Sequence, residues 1–198
     1  MSITSPNPHH QPYIHLILGP MFAEKSTNLL RASRRLTIAK FKCVMIKYQG
    51  DQRYTTTSHI ATHDKILSHD VAYSCHRLGE LSDLYPGLNL EEYDVICIDE
   101  VQFYPDALDF CREWRLRGKI IIACGLYADF QRRPFPGLPE LIAHADQTEF
   151  LKAICHDCSQ DLATTSYRLT SEIEQVSIGG ADKYHPLCQI CYEKRSAK

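Results

Sequence analysis

No uninterrupted apolar run in this chain approaches the roughly 18 residues that a membrane helix needs, so no membrane partner is expected. A basic surplus is missing too. Lys and Arg total 22 against 24 Asp and Glu, a formal charge of −2, whereas general nucleic-acid binders carry excess positive charge. The first twelve residues (MSITSPNPHHQP) have no basic start and no apolar stretch. They read as a disordered tail over residues 1–12 rather than a secretory signal, which points to a cytoplasmic chain. Glycine is scarce, nine in 198 residues, below the average usage of roughly 7%. Few positions can therefore draw on its conformational freedom.

Hydrophobic residues make up 44% and charged residues 23%, enough to build a core in one domain with a small appendage. Nine cysteines is a high, odd count. In a secreted chain it would suggest disulfides, and in a cytosolic one metal ligands or free thiols.

Apolar, β-rich runs at residues 13–18 (YIHLIL), 42–48 (KCVMIKY), 93–98 (YDVICI) and 119–124 (KIIIAC) read as buried strands. Helical patterns lie between them. Over residues 25–40, Leu29, Leu30, Ala32, Leu36, Ile38 and Ala39 form one broad face. Residues 106–117 form a second helix, with Pro105 and Asp106 at its start and Gly118 after its end. A polar stretch at residues 49–70 reads as loop. Continuous strands alternating with helices predict an α/β fold, a parallel sheet with helices on both faces. The expected division is a nucleotide-binding part over residues 13–150 and a small cysteine-rich part over residues 151–198.

Between the first strand and first helix lies Gly19-Pro20-Met21-Phe22-Ala23-Glu24-Lys25-Ser26, close to the phosphate-loop pattern G-x-x-x-x-G-K-[ST]. In that pattern backbone N–H groups cradle phosphates, the lysine reaches the outer phosphates and the serine holds Mg²⁺. Here Glu24 replaces the second glycine. Its extra Cβ, and its charge beside a polyanion, are expected to weaken ATP binding. The third strand ends in Asp99-Glu100-Val101-Gln102-Phe103. An acid pair at a strand end often only solvates it, but beside a phosphate loop it suits Mg²⁺ binding and a general base.

Cys155-x-x-Cys158 and Cys188-x-x-Cys191 are two knuckles that suit a closed, tetrahedral, structural Zn²⁺ site. With four thiolates in place, His156 and His185 are read as non-ligands. Cys43, Cys75, Cys97, Cys111 and Cys124 are expected to pack as small hydrophobes.

Together with Asp51-x-Arg53-Tyr54, the segment FQRRPF at 130–135 and IGGADKYH at 178–185, these motifs resemble the type II thymidine kinases over roughly residues 13–194. The resemblance implies γ-phosphate transfer from ATP, with Mg²⁺, to the 5′-hydroxyl of thymidine. It implies Glu100 as catalytic base, with Lys25 and Arg53 beside the transferring phosphate. Gly19 to Thr27, Asp51, Asp99 and Gln102 then form the ATP and Mg²⁺ site. Met21, Phe103, Leu126, Phe130 and Phe135 become the thymine pocket. Ser166, Ile178, Gly179, Gly180, Asp182 and Tyr184 become contacts from a zinc-held lasso. A homotetramer and feedback by dTTP are further implications. Glu24, Tyr127 and Val101 depart from the family's usual Gly, Asp and small residue, which leaves open a catalytically impaired domain that binds nucleoside or partner subunits.

Overall fold

The computed structural model describes residues 11–50, 72–160 and 162–197; residues 1–10 of the tail expected over residues 1–12, and most of the polar stretch, with Asp51 and Arg53, lie outside the described residues. The elements run β1 (Ile14–Leu18), α1 (Lys25–Ile38), β2 (Cys43–Tyr48), β3 (Ala72–Cys75), α2 (Leu81–Leu84), β4 (Val95–Ile98), α3 (Ala107–Leu116), β5 (Ile120–Gly125), α4 (Leu138–His144), β6 (Gln147–Phe150), β7 (Thr165–Arg168), β8 (Tyr184–Leu187) and α5 (Gln189–Ser196). Strands β1 to β6 form one sheet in the order β3-β2-β4-β5-β1-β6, and every pairing in it is parallel. Strands β7 and β8 make a separate antiparallel pair.

The two-residue period of a strand divides the core between the sheet's faces. Ile96, Ile98, Ile121 and Ala123 meet Leu81, Phe110, Cys111 and Leu141 of α2, α3 and α4 on one face. Val95, Cys97, Ile120 and Ile122 meet Leu29 of α1 on the other. Every residue of β4 and β5 is buried, which accounts for their unbroken apolar sequences. Helix α1 departs from its expected face. Only Lys25, Leu29 and Ser33 are buried along it, Leu30, Ala32 and Leu36 pack partly, and Ile38 is 69% exposed. Its last turn, Arg35 to Ile38, holds no fully buried residue, so the apolar face stops short of the helix end. Cys75, Cys97, Cys111 and Cys124 are buried and Cys43 is partly so, in line with packing roles.

A cysteine-rich segment follows β6. It encloses a third apolar cluster of Ala153, Cys155, Ala163, Leu187 and Cys188, and that cluster also takes in Ala23 from the loop after β1.

Leu16 is fully buried in the β1 row of the larger core. Leu16→Ala is expected to cost about 3 kcal/mol, a fall in melting temperature of roughly 6–12 °C for a chain of this size, read by thermal denaturation.

Candidate active site

The loop between β1 and α1 is built by close approach. A Cβ on Gly19 would lie 3.0 Å from the Leu151 carbonyl and 3.1 Å from the Ala23 Cβ, so only glycine fits without displacement there. Phe22 and Glu24 both adopt left-handed backbone, at φ 65° and 57°. Left-handed residues alternating with ordinary ones turn successive N–H groups toward one concave side, an anion nest. Position 24 is therefore where the phosphate-loop pattern places glycine for a conformational reason. Glu24 accepts that backbone at a cost of about 1–2 kcal/mol. Its side chain is exposed, so solvent screens the carboxylate; the repulsion expected from sequence is weaker than in a dry site. Lys25 is buried, and its Nζ donates to the Pro20 carbonyl at 2.8 Å.

One carboxylate joins this loop to the acid motif. Asp99, buried at the end of β4, accepts at Oδ1 from the Ser26 hydroxyl at 2.9 Å, the Glu100 N–H at 3.2 Å and the Cys124 thiol at 2.9 Å. Burial first, and then Asp99, pushes the Cys124 thiol well above its ordinary pKa, so it stays protonated and donates. Glu100 is left-handed at φ 54°. Gln102 donates to its Oε2 at 2.7 Å and accepts the Leu126 N–H at 3.0 Å. The structure thus places Gln102 on the Glu100 carboxylate and the end of β5. The Ser26–Asp99 pair offers a hydroxyl and a carboxylate in the arrangement a hard cation favours, which fits Mg²⁺.

Beside Glu100 lies an open cleft. Met21, Phe103, Leu126, Phe130, Phe135, Ser166, Ile178, Gly179 and Tyr184, all singled out from the sequence, line it. Gly180 and Asp182 do not; the Asp182 carboxylate instead accepts the Gly180 N–H at 2.9 Å. The aromatic walls are ordered by ring contacts, with Phe103 edge-on to Phe135 at 6.0 Å.

Arg168 was not anticipated. It is buried, and its guanidinium stacks 3.8 Å from the Phe130 ring. It donates to the carbonyls of Glu172, Glu174 and Gln175 and to the Tyr184 hydroxyl. One side chain therefore satisfies the backbone of the loop between β7 and β8 and fixes the aromatic wall. Asp129 was also missed. It accepts from the Gln131 and Arg133 N–H groups and pairs with the Arg133 guanidinium at 2.8 Å, which shapes the turn that presents Phe130.

The sulfur atoms of Cys155, Cys158, Cys188 and Cys191 lie within 4.8 Å of one another. Cys158 and Cys188 are 3.8 Å apart, far from a disulfide bond of about 2.05 Å and near the spacing that four Zn–S bonds of about 2.3 Å give in a tetrahedron. Burial raises the Cys155 pKa, but N–H donation from Cys188, Cys158 and Asp157 outweighs it and brings the thiol down to about 6. The donor set suits Zn²⁺. His156 and His185 stack on each other at 3.5 Å and are not part of the four-sulfur cluster.

A parallel sheet with a phosphate loop after its first strand, an acid pair across from it and an aromatic-walled cleft beside them defines a phosphate-loop nucleotide-binding protein. The thymidine kinase family profile matches residues 12–192, and the chain belongs to that family. A monkeypox virus thymidine kinase is 42% identical over 182 residues, covering 91% of this chain and 96% of that protein. A human cytosolic thymidine kinase is 41% identical over 184 residues, covering 93% of this chain and 74% of that protein. Among solved structures, the flagellar accessory protein FlaH of Methanocaldococcus jannaschii superposes with a TM-score of 0.46 at 15% identity over 70% of each chain.

Three outcomes are expected. Glu24→Gly raises stability by roughly 0.5–1 kcal/mol, because relief of the left-handed backbone exceeds glycine's greater freedom in the unfolded chain. Glu24→Ala, which keeps the Cβ, leaves stability within about 0.5 kcal/mol; urea titration reads both. Arg168→Ala strips the donor from three carbonyls and the Tyr184 hydroxyl and removes the stack on Phe130, and thymidine affinity is expected to fall at least tenfold by calorimetry.

Proposed function

We propose that this chain phosphorylates thymidine, moving the γ-phosphate of ATP to the 5′-hydroxyl. The observation that carries this reading is the Asp99 carboxylate, which holds the phosphate-loop serine on one side and the backbone of Glu100 on the other at the mouth of an aromatic cleft. Family membership supplies the substrate class, since the relatives reported above are thymidine kinases.

In this reading ATP lies along the loop Gly19 to Thr27, with Lys25 released from the Pro20 carbonyl to the outer phosphates. Ser26 and Asp99, with Thr27 beside them, hold Mg²⁺, which neutralises charge on the phosphates when bound. Glu100 takes the proton of the 5′-hydroxyl as it attacks, and Gln102 keeps the accepting carboxylate aimed. Asp51 and Arg53 are assigned to the phosphates on the resemblance alone. The pyrimidine lies in the cleft between Phe103, Phe130 and Phe135, against Met21 and Leu126. Ser166, Ile178, Gly179 and Tyr184 contact it from the β7–β8 side, while Gly180 and Asp182 shape the turn that carries Gly179. Val176 and Ile178 line the cleft and are 46% and 37% exposed, apolar surface that a bound base covers.

Zn²⁺ bound to the four cysteines ties the ends of the β7–β8 segment. The division at about residue 150 separates the part that binds ATP from a zinc-held lasso over residues 151–198. Because the phosphate loop adjoins the cleft, a thymidine triphosphate spans both, which fits feedback by dTTP. A homotetramer and a cytoplasmic location follow from the resemblance; among the described residues no helix is long and apolar enough to cross a membrane. An impaired domain draws no support from Glu24, whose side chain is exposed.

The decisive variant is Glu100→Gln, which keeps the size of the side chain and removes the base. Conversion of thymidine to its monophosphate by zinc-loaded protein with ATP and Mg²⁺ is expected to fall by about 10²–10⁴-fold, with thymidine affinity held within about threefold. Unchanged turnover would remove Glu100 from its role; no turnover in the parent protein would overturn the kinase reading.

A further inference from the structure

The cysteine-rich segment touches the phosphate loop directly as well as the nucleoside cleft. The Met21 N–H donates to the Ser166 hydroxyl at 2.9 Å in a buried bond. Ser166 is 4% exposed and sits on β7, opposite Pro186 of β8. Strand β8 ends at Leu187, immediately before the cysteine ligand Cys188. Two residues along the same loop, Ala23 is buried in the apolar cluster with Cys155, Ala163, Leu187 and Cys188, and Phe22 packs against that cluster. A third tie holds β7 in place, for the Tyr127 hydroxyl at the end of β5 donates to the Thr164 carbonyl, one residue before β7 begins.

The loop these contacts grip is strained. Phe22 and Glu24 are left-handed without being glycine, and such backbone persists only where its surroundings over-determine it. In this chain Glu24 withholds the glycine that would adopt the conformation freely, so the fixing must come from outside the loop. The Ser166 hydroxyl supplies such a contact from outside, as a buried acceptor for the Met21 N–H.

We propose that Ser166 is a positioning residue for the ATP site: with the apolar core around the four cysteines it clamps Met21 to Glu24 in their phosphate-binding form, so that the zinc-held segment sets affinity for the phosphate donor as well as for the nucleoside. The proposal rests on the kinase reading for what the loop binds, and adds a second duty to a residue that also lines the cleft. Its physical cause is local. Without the hydroxyl the buried Met21 N–H has no acceptor, and the loop relaxes away from the strained form when no phosphate holds it.

The test uses the whole zinc-loaded chain and calorimetric titration with ATP–Mg²⁺ and, separately, thymidine. Ser166→Ala is expected to weaken ATP binding about tenfold, equivalent to about 1.4 kcal/mol, and to weaken thymidine binding at least fivefold less than it weakens ATP binding. Ser166→Thr keeps the hydroxyl and is expected to restore ATP affinity to within about threefold of the parent. Tyr127→Phe, which frees the Thr164 carbonyl, is expected to shift ATP affinity in the same direction by about threefold. Should Ser166→Ala not fold, Ser166→Cys, nearly the same size but a poor acceptor, is expected to give the same selective loss. Unchanged ATP affinity in the Ala or Cys variant overturns the proposal. So does an equal or larger loss for thymidine, which would make Ser166 a nucleoside contact only, and so does failure of the threonine variant to restore binding. A parent chain that binds ATP but leaves thymidine unphosphorylated defeats the kinase reading and leaves the clamp to be judged on ATP affinity alone.

Discussion

A single buried oxygen organises the site. Asp99 Oδ1 accepts three donors that arrive from three separated parts of the chain: the Ser26 hydroxyl from the start of α1, the Glu100 N–H from the turn after β4, and the Cys124 thiol from β5. A carboxylate in a nearly closed setting is tolerable only if its charge is met by hydrogen bonds or a cation. Two of the donors that meet it, Ser26 and the Glu100 backbone, belong to the phosphate loop and the acid turn that the proposed phosphoryl transfer would use. Desolvation thus acts as an assembly constraint. The parallel pairing of β4 with β5, Ile98 opposite Ala123, brings the ends of the two strands level, and the carboxylate then draws the phosphate-loop helix onto that edge.

The nucleoside side is organised differently. The loop between β7 and β8 carries exposed apolar residues such as Ile173 and Val176 and has no sheet or helix of its own. Its carbonyls converge on one guanidinium. Arg168 serves three of them and the Tyr184 hydroxyl, and its flat face rests on Phe130. The planar five-donor geometry of arginine suits this, and a lysine with a point charge would not reproduce the spread. The four cysteines, a donor set that suits zinc, close the ends of the segment and Arg168 fills its middle.

How much of this was readable beforehand follows from range. Strands β1, β2, β4 and β5 announced themselves as apolar runs, because burial on both faces leaves no alternation. Strands β3 and β6 did not. They are four residues each, at the two edges of the sheet, and β6 reads Gln-Thr-Glu-Phe with little burial, so its pairing to β1 rests on backbone bonds that leave no mark on side-chain type. The cysteine knuckles and the phosphate loop were legible from spacing within a few residues. The Met21–Ser166 bond spans 145 positions and the Asp99–Cys124 bond 25, and nothing in local pattern marks either. Arg168 and Asp129 are unmarked in the sequence for a related reason. An arginine or aspartate in a polar stretch looks like solvated surface until the fold surrounds it. Glu24 was half legible: the pattern marked the position as one that asks for glycine, and the left-handed backbone gives the reason, while the exposure of its carboxylate depended on how the loop sits against the cysteine-rich segment.

The left-handed non-glycine residues sharpen that last point. Phe22, Glu24 and Glu100 lie in the two loops that meet at Asp99, and Arg132 lies in the turn after Phe130. Each departs from the backbone its residue type prefers, by about 1–2 kcal/mol, and each is held by contacts outside its own loop. Phe22 and Glu24 flank Ala23, which is buried in the cysteine cluster. Glu100 is held through Gln102 to Leu126. Arg132 is stacked 3.9 Å from the ring of Tyr192, in the helix that carries Cys191. Glycine would have supplied these conformations without help, and in a chain with so few glycines the local freedom is replaced by tertiary constraint. The consequence is a coupled site. Where glycine makes a loop self-sufficient, this chain makes its phosphate loop depend on the packing of a segment more than 130 residues away. Whatever loosens the cysteine cluster is therefore felt at both ends of the transferred phosphate.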